Sequence, residues 1–94
     1  MDIKVLKVAK DSNINAVSVA ALEEVVNSGI CHLDAMGVSA NYVLVKALIL
    51  IVGTLESNEF QCNLRPYYVN VPVDGTNDER PIKTAIRWTI MAKR

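Results

Sequence analysis

Few side chains in this sequence combine the types and the spacing that catalysis needs. His32 and Asp34 stand two residues apart in an alternating segment, so they share a strand face on which a carboxylate could orient an imidazole as a base. No nucleophile accompanies them, and the chain lacks the glycine-rich phosphate-binding, metalloprotease and serine-hydrolase motifs. We therefore predict that both side chains lie on a partly solvated sheet face, and we expect no enzyme, no cofactor and no metal site.

The two cysteines favour a structural role over a reactive one. Cys31 and Cys62 lie inside apolar alternating runs and lack the CxxC spacing of redox and metal motifs. The first ten residues also lack the apolar segment of a signal peptide. Together these features predict two reduced, partly buried thiols in a cytoplasmic protein.

Binding is better supported than catalysis, because polar segments at residues 10–15, 37–41 and 74–80 fall at predicted turns. Two of these turns precede helices, whose first N–H groups and positive dipole ends attract anions such as phosphate. Capping side chains also occur at helix starts for stability alone, so both interpretations stay open. Within the first two turns, the residues that could contact such an anion are Lys10, Ser12, Asn13, Asn15, Gly37 and Ser39.

Alternating strands and helices position these turns. The hydrophobic periodicity predicts strands at residues 3–9, 30–36, 60–65 continuing at 67–73, and 82–92, with helices at 14–28 and 39–55. We expect the first strand inside the sheet, Ser39 as a helix N-cap, and an edge position or a bulge at Pro66. A helix joins the first two strands, so they should lie parallel. The expected fold is one α+β domain over residues 1–94, a two-layer α/β sandwich in the order β-α-β-α-β-β with a four-stranded mixed sheet.

The central helix has more apolar surface than one sheet can cover. Residues 43–52 are apolar except for Lys46, whose central charge argues against a membrane span. On a helical wheel Tyr42, Lys46 and Gly53 fall together, Ile49 lies beside them, and most other outward positions are apolar. We expect a homodimer that packs through Tyr42, Lys46, Ile49 and Gly53. The alternative is a loosely covered core helix in a monomer.

The overall charge sets a limit on any nucleic-acid affinity. Ten Lys and Arg residues balance ten Asp and Glu residues, and the sequence pI is near 6.5. The predicted loop at residues 74–80 adds three acidic residues against Arg80 alone. Contacts to DNA or RNA should therefore be weak, local and directed at the backbone. The alternative function is a protein-interaction module with little or no nucleic-acid affinity.

Short segments along most of the chain resemble the stage V sporulation protein S (SpoVS) family, which has an Alba-like fold. The segment at residues 5–8, VLKV, matches a family motif, and residues 12–17, SNINAV, resemble its SNPNSV with Ile14 in place of proline. Residues 35–37, AMG, and 45–47, VKA, resemble its AIG and VKA segments. The order and spacing of the four segments agree with the family.

The resemblance implies a four-stranded mixed sheet backed by two helices, a homodimer, and nucleic-acid binding in the regulation of sporulation genes. Alba proteins contact nucleic acid through basic residues at the first turn, at the start of the second helix and along the last hairpin. This chain keeps Lys10 at the first turn but follows it with Asp11. Its second helix starts without the arginines of Alba, which again implies weak binding. The nucleic-acid-binding residues that the resemblance implies here are Lys10, Ser12, Asn13, Asn15, Gly37, Ser39, Arg80 and Lys83.

Overall fold

A computed structural model describes residues 4–72 and 82–94 of the chain. The predicted loop with Arg80 lies outside the described residues. The element order is the predicted β-α-β-α-β-β, with a four-stranded mixed sheet and two helices, which confirms the α+β fold class. The elements are β1 Val5–Val8, α1 Ile14–Ser28, β2 Ile30–Ala35, α2 Val38–Ser57, β3 Gln61–Pro72 and β4 Ile82–Lys93.

The first helix, α1, begins and ends as its sequence predicts. Asn13 is the N-cap, and its Oδ1 accepts a hydrogen bond of 2.9 Å from the backbone N–H of Ala16. Gly29 ends the helix in the left-handed conformation at φ 82°, and its N–H donates to the carbonyl of Val25 at 2.8 Å. These two caps fix both ends of α1, and its N-terminus lies close to the end of β1.

The sheet order is β1-β2-β4-β3, with β1 parallel to β2 and the other neighbours antiparallel. The parallel pairing of the first two strands is confirmed. The expectation that β1 is internal is wrong, because β4 occupies the second side of β2 and leaves β1 at the edge. Lys7 is exposed on this edge strand, which explains a charged side chain in an apolar run.

The two helices pack on one face of the sheet, which we call the helix face. Leu33 on β2 and Ile90 on β4 are fully buried there against Leu44 and Ile51 of α2. Although α2 has 20 residues and is long and apolar enough to cross a membrane, its buried side forms the core of this domain. Burial of each such aliphatic side chain contributes about 1.5–3 kcal/mol.

The edge strand β3 contains Pro66 without a bulge. Pro66 pairs with Trp88 in an unbroken register that runs the length of the strand, so the edge position is confirmed and no bulge forms. An edge strand has one side without a partner, where a missing N–H costs no ladder hydrogen bond. Because the alternation continues through Pro66, even-numbered and odd-numbered residues of β3 keep opposite faces. Leu64 points to the helix face, whereas Tyr67 and Val69 point to the opposite face.

Among the described residues, no element covers that opposite face, which we call the open face. Because paired residues in neighbouring strands share a face, the strand register shows which residues lie on the open face. Its charged and hydrogen-bonding side chains include Lys7, His32, Asp34, Arg65, Tyr67, Lys83, Arg87, Thr89 and Lys93.

Candidate functional site

The first candidate segment forms a tight turn between β1 and α1. The Ser12 hydroxyl accepts a hydrogen bond of 2.8 Å from the Ala9 N–H, and the Ser12 N–H donates to the Ala9 carbonyl at 3.0 Å. Ser12 and the N-cap Asn13 therefore stabilise local backbone. Lys10, Asp11 and Asn15 are exposed, so a ligand at this turn would meet one carboxylate next to the Lys10 ammonium.

The start of α2 differs from the prediction. Gly37, not Ser39, is the N-cap residue; it has φ 88°, and no side chain caps the first turn. The Asn41 side-chain amide donates instead to the carbonyls of Gly37 at 2.8 Å and Ala35 at 3.3 Å. Ser39 is exposed in the first turn of a helix whose leading N–H groups have no side-chain acceptor.

The sheet topology brings the candidate residues of both helix starts to one end of the molecule. Because β1 and β2 are parallel and in register from Val5 to Val8, both strands end at the same edge and both helices begin there. Strand β4 is antiparallel to β2, so its first residues extend past Ala35 at that same end. Exposed Lys83 lies in this extension, paired with Val71.

All four predicted interface residues lie on the exposed side of α2. Tyr42 and Ile49 are 63% and 66% exposed, and Lys46 and Gly53 are also exposed. The Lys46 ammonium lies 4.8 Å from the centre of the Tyr42 ring, a cation–π contact along one helix face. A Cβ added at Gly53 would meet no atom within 4 Å, so this part of the helix surface is open.

Exposed apolar side chains extend this surface beyond the four predicted residues. Val45 is 42% exposed on the same side of α2, and Val38 is 88% exposed at its start. A shallow groove then leads across to the helix face of the sheet, lined by Val45, Ile49, Val52, Leu64 and Trp88 among others. We call Val38, Tyr42, Val45, Lys46, Ile49 and Gly53 the α2 surface.

A polar cluster lies on the open face. Arg87 on β4 donates two hydrogen bonds to the Asp34 carboxylate on β2, from Nε at 2.7 Å and Nη2 at 3.0 Å. The two side chains are cross-strand partners, and Asp34 is only 6% exposed. This contact raises the pKa of Arg87 above its usual value.

A hydrogen-bonded chain of three side chains lies beside this ion pair. Thr89 Oγ1 is 2.8 Å from Nδ1 of His32 and 2.9 Å from the Tyr67 hydroxyl. Burial lowers the pKa of His32, the nearby Arg87 charge lowers it further, and Asp34 opposes both. The imidazole is therefore held neutral in a structural hydrogen bond, and the expectation of a partly solvated pair is wrong because His32 and Asp34 are both buried.

Neither cysteine is placed to react. Burial and, to a smaller extent, the Glu24 charge raise the pKa of the Cys31 thiol to about 11, and Lys4 opposes them. Burial also raises the pKa of Cys62, and neither cysteine forms a disulfide. Within residues 4–72 and 82–94, no three His, Cys, Asp or Glu side chains lie close enough to hold a metal ion.

The sequence analysis missed Arg65, Tyr67, Arg87 and Thr89. Arg65 and Tyr67 are two residues apart on β3, and Arg87 and Thr89 are two residues apart on β4. This spacing indicates that the two side chains of each pair share a sheet face. The alternation did not reveal that the two pairs are cross-strand neighbours, because that depends on the register of β3 with β4.

Two helices on one face of a four-stranded mixed sheet define a small two-layer α+β domain, consistent with an Alba-like fold. The family model of stage V sporulation protein S (SpoVS) matches residues 4–93, so the chain belongs to this family. The resemblance carried by the short segments is thereby confirmed, and the chain is a sporulation-related protein. The comparison with curated proteins gives no match.

Proposed function

We propose that this chain is a cytoplasmic, homodimeric regulator that binds DNA or RNA without catalysing a reaction. The observation that carries the proposal is the convergence of both helix N-termini, Lys10 and Lys83 at one end of the sheet. Backbone N–H groups and ammonium groups at one edge are suited to phosphate oxygens. The family's name supports a role in sporulation.

The dimer is proposed to form through the α2 surface. Over the 15 helical steps from Val38 to Gly53 this surface extends about 22 Å. Its exposed apolar side chains, above all Tyr42 and Ile49, have the composition of an interface core. A symmetric dimer would bury each of them against a second copy and would place two helix-start edges in one assembly.

The proposed phosphate contacts are few. Lys10 and Lys83 are exposed lysines at the helix-start edge, and α2 begins without a side-chain cap. Each phosphate that a protein neutralises contributes roughly −0.9 to the slope of log K against log salt on duplex DNA. A dimer with two such edges should therefore bind modestly, with strong dependence on salt.

Charge reversal at this edge tests the proposal. We expect Lys10→Glu combined with Lys83→Glu to weaken binding of a mixed DNA and RNA panel at least about tenfold in low salt. The matched control is Lys4→Glu with Arg94→Glu, which makes the same charge change at the opposite end of the sheet. Sedimentation velocity should find the dimer unchanged in both variants.

Equal loss of binding in both double variants would contradict a local edge and leave only a general charge effect. Absence of binding by the wild-type chain in low salt would contradict the nucleic-acid function altogether. That result would favour the alternative, a protein-interaction module, to which the zero net charge of the chain is suited.

A further inference from the structure

The open face of the sheet carries most of the positive charge that the structure describes. The described part of the chain has nine Lys and Arg residues, and five of them point to the open face. Asp34 is the one acidic residue that the described strands place on this face. The five are Lys7, Arg65, Lys83, Arg87 and Lys93. Within residues 4–72 and 82–94, this face therefore has a net charge of +4, counted as five cations minus one carboxylate, in a chain whose total charge is zero.

The other acidic side chains among residues 4–72 and 82–94 belong to the helices or to the turns beside them. Asp11 lies in the turn before α1, Glu23 and Glu24 belong to α1, Glu56 belongs to α2, and Glu59 follows α2. The described charge is thus uneven across the sheet: the open face has five basic residues and one acidic residue, whereas the rest of the described chain has four basic and five acidic residues. A neutral chain with such an uneven distribution can attract a polyanion to one face while its total charge stays at zero.

The middle of the open face is built from two rows that cross all four strands. The first row is Lys7, Asp34, Arg87 and Tyr67, and the second is Val5, His32, Thr89 and Arg65. With strands about 4.8 Å apart, each row spans roughly 14 Å. The two hydrogen bonds from Arg87 to Asp34 and those of Thr89 join β2, β4 and the edge strand β3 into a fixed surface.

Tyr67 and Arg65 give this surface a stacking position. The Arg65 guanidinium lies 4.9 Å from the centre of the Tyr67 ring, and the Tyr67 hydroxyl is held by Thr89 at 2.9 Å. Arg65 is exposed, so the outer side of its guanidinium plane is accessible. Nucleobases stack on aromatic rings and on guanidinium planes, and stacked bases each contribute about 1–3 kcal/mol of affinity.

We infer that the open face binds single-stranded nucleic acid, with a base stacked at Arg65 and Tyr67 and phosphates beside Lys7 and Lys93. This inference rests on the proposed nucleic-acid function and names a second surface for it. A single strand is favoured over a duplex because only unpaired bases present their faces to a flat sheet. A second copy of the chain is disfavoured because two faces of the same positive charge would repel each other.

The first test removes positive charge from the open face. Fluorescence anisotropy would follow labelled RNA and DNA single strands of about 12 nucleotides, and a DNA duplex, in about 50 mM salt. We expect Lys7→Gln with Arg65→Gln, which removes one phosphate contact and the stacking guanidinium, to weaken single-strand binding on the order of 50-fold and to reduce the salt slope by about 0.7. Lys4→Gln with Arg94→Gln is the matched control and should retain most of the affinity.

The control pair lies on the other side of the sheet. The Arg94 guanidinium lies 4.7 Å from the ring centre of Phe60, which packs against the core, and the Lys4 charge acts on the buried Cys31. Both double variants remove two charges, so a general charge effect would weaken binding equally. Lys7 and Arg65 are exposed, and circular dichroism should find the fold of that variant unchanged.

Substitutions of Tyr67 separate stacking from charge. Tyr67→Leu should weaken single-strand binding on the order of tenfold, whereas Tyr67→Phe keeps the ring and should retain nearly all of the affinity. The inference is overturned if the Lys7/Arg65 and Lys4/Arg94 variants lose affinity equally, or if duplex DNA binds more tightly than either single strand. If the wild-type chain binds no oligonucleotide, both this inference and the proposed function are overturned. If only the Lys10/Lys83 variant loses oligonucleotide affinity, the inference alone is overturned.

Discussion

Ile49→Ala should separate the stability of the dimer from the stability of the fold. Ile49 is 66% exposed on α2, so most of its surface is free of contacts within one chain. Alanine is a better helix former than isoleucine, and the free energy of unfolding of the monomer should stay the same or rise slightly. In the proposed dimer the same side chain is buried against a second copy, so the effect appears in the association constant.

The magnitude follows from the area that becomes buried. Ile49→Ala removes three carbons, each contributing about 0.8 kcal/mol when fully buried, and about two thirds of this surface is available to a partner. Each copy then loses about 1.6 kcal/mol, and a symmetric dimer loses about 3 kcal/mol. Since 1.4 kcal/mol is tenfold in affinity, the dimer Kd should rise roughly 100-fold.

Sedimentation equilibrium over a range of protein concentrations measures this change. The matched control is Val26→Ala, because Val26 is a β-branched residue that is 53% exposed on α1 and lies outside the α2 surface. We expect the control to leave the dimer Kd unchanged. A Kd that shifts equally in both variants, or a wild-type chain that is monomeric at high concentration, would refute the argument.

Three further predictions concern Gly53, His32 and Cys31. Gly53→Ala should raise the free energy of unfolding by about 0.5–1 kcal/mol in urea titrations, because the added methyl meets no atom of its own chain, and should weaken the dimer if helices approach closely there. The folded state holds the pKa of His32 below its unfolded value of 6.5, so stability should fall as pH drops below that value, and His32→Gln should remove this part of the pH dependence. Native Cys31, with a pKa of about 11, should resist a thiol reagent at pH values near 8 and react at once after unfolding; rapid native labelling would contradict its burial.

The sequence predicted the elements well because each carries a local signal. Polar residues before Ile14 and Gly29 after Ser28 bound α1, and the structure has this helix over the same residues. The dense apolar run with Lys46 similarly predicted α2. Such signals act within one turn or one strand, so they need no knowledge of neighbours.

What the sequence could not predict depends on partners far apart in the chain. The edge position of β1 follows from β4 pairing with β2, and the buried His32 has its hydrogen-bond partner, Thr89, on β4. The uneven charge across the sheet likewise appears only once the register of β3 and β4 is fixed. The Ser39 prediction failed for a local reason, because Gly37 adopts a left-handed φ that places the helix start earlier.

The salt dependence of oligonucleotide binding by the wild-type chain tests the central claim most directly. If Lys10, Lys83 and the open-face cations contact phosphates, log K should fall linearly with log salt, with a slope between about −1.4 and −3 on single strands. No measurable binding in about 20 mM salt, or binding that does not change with salt, would contradict the account.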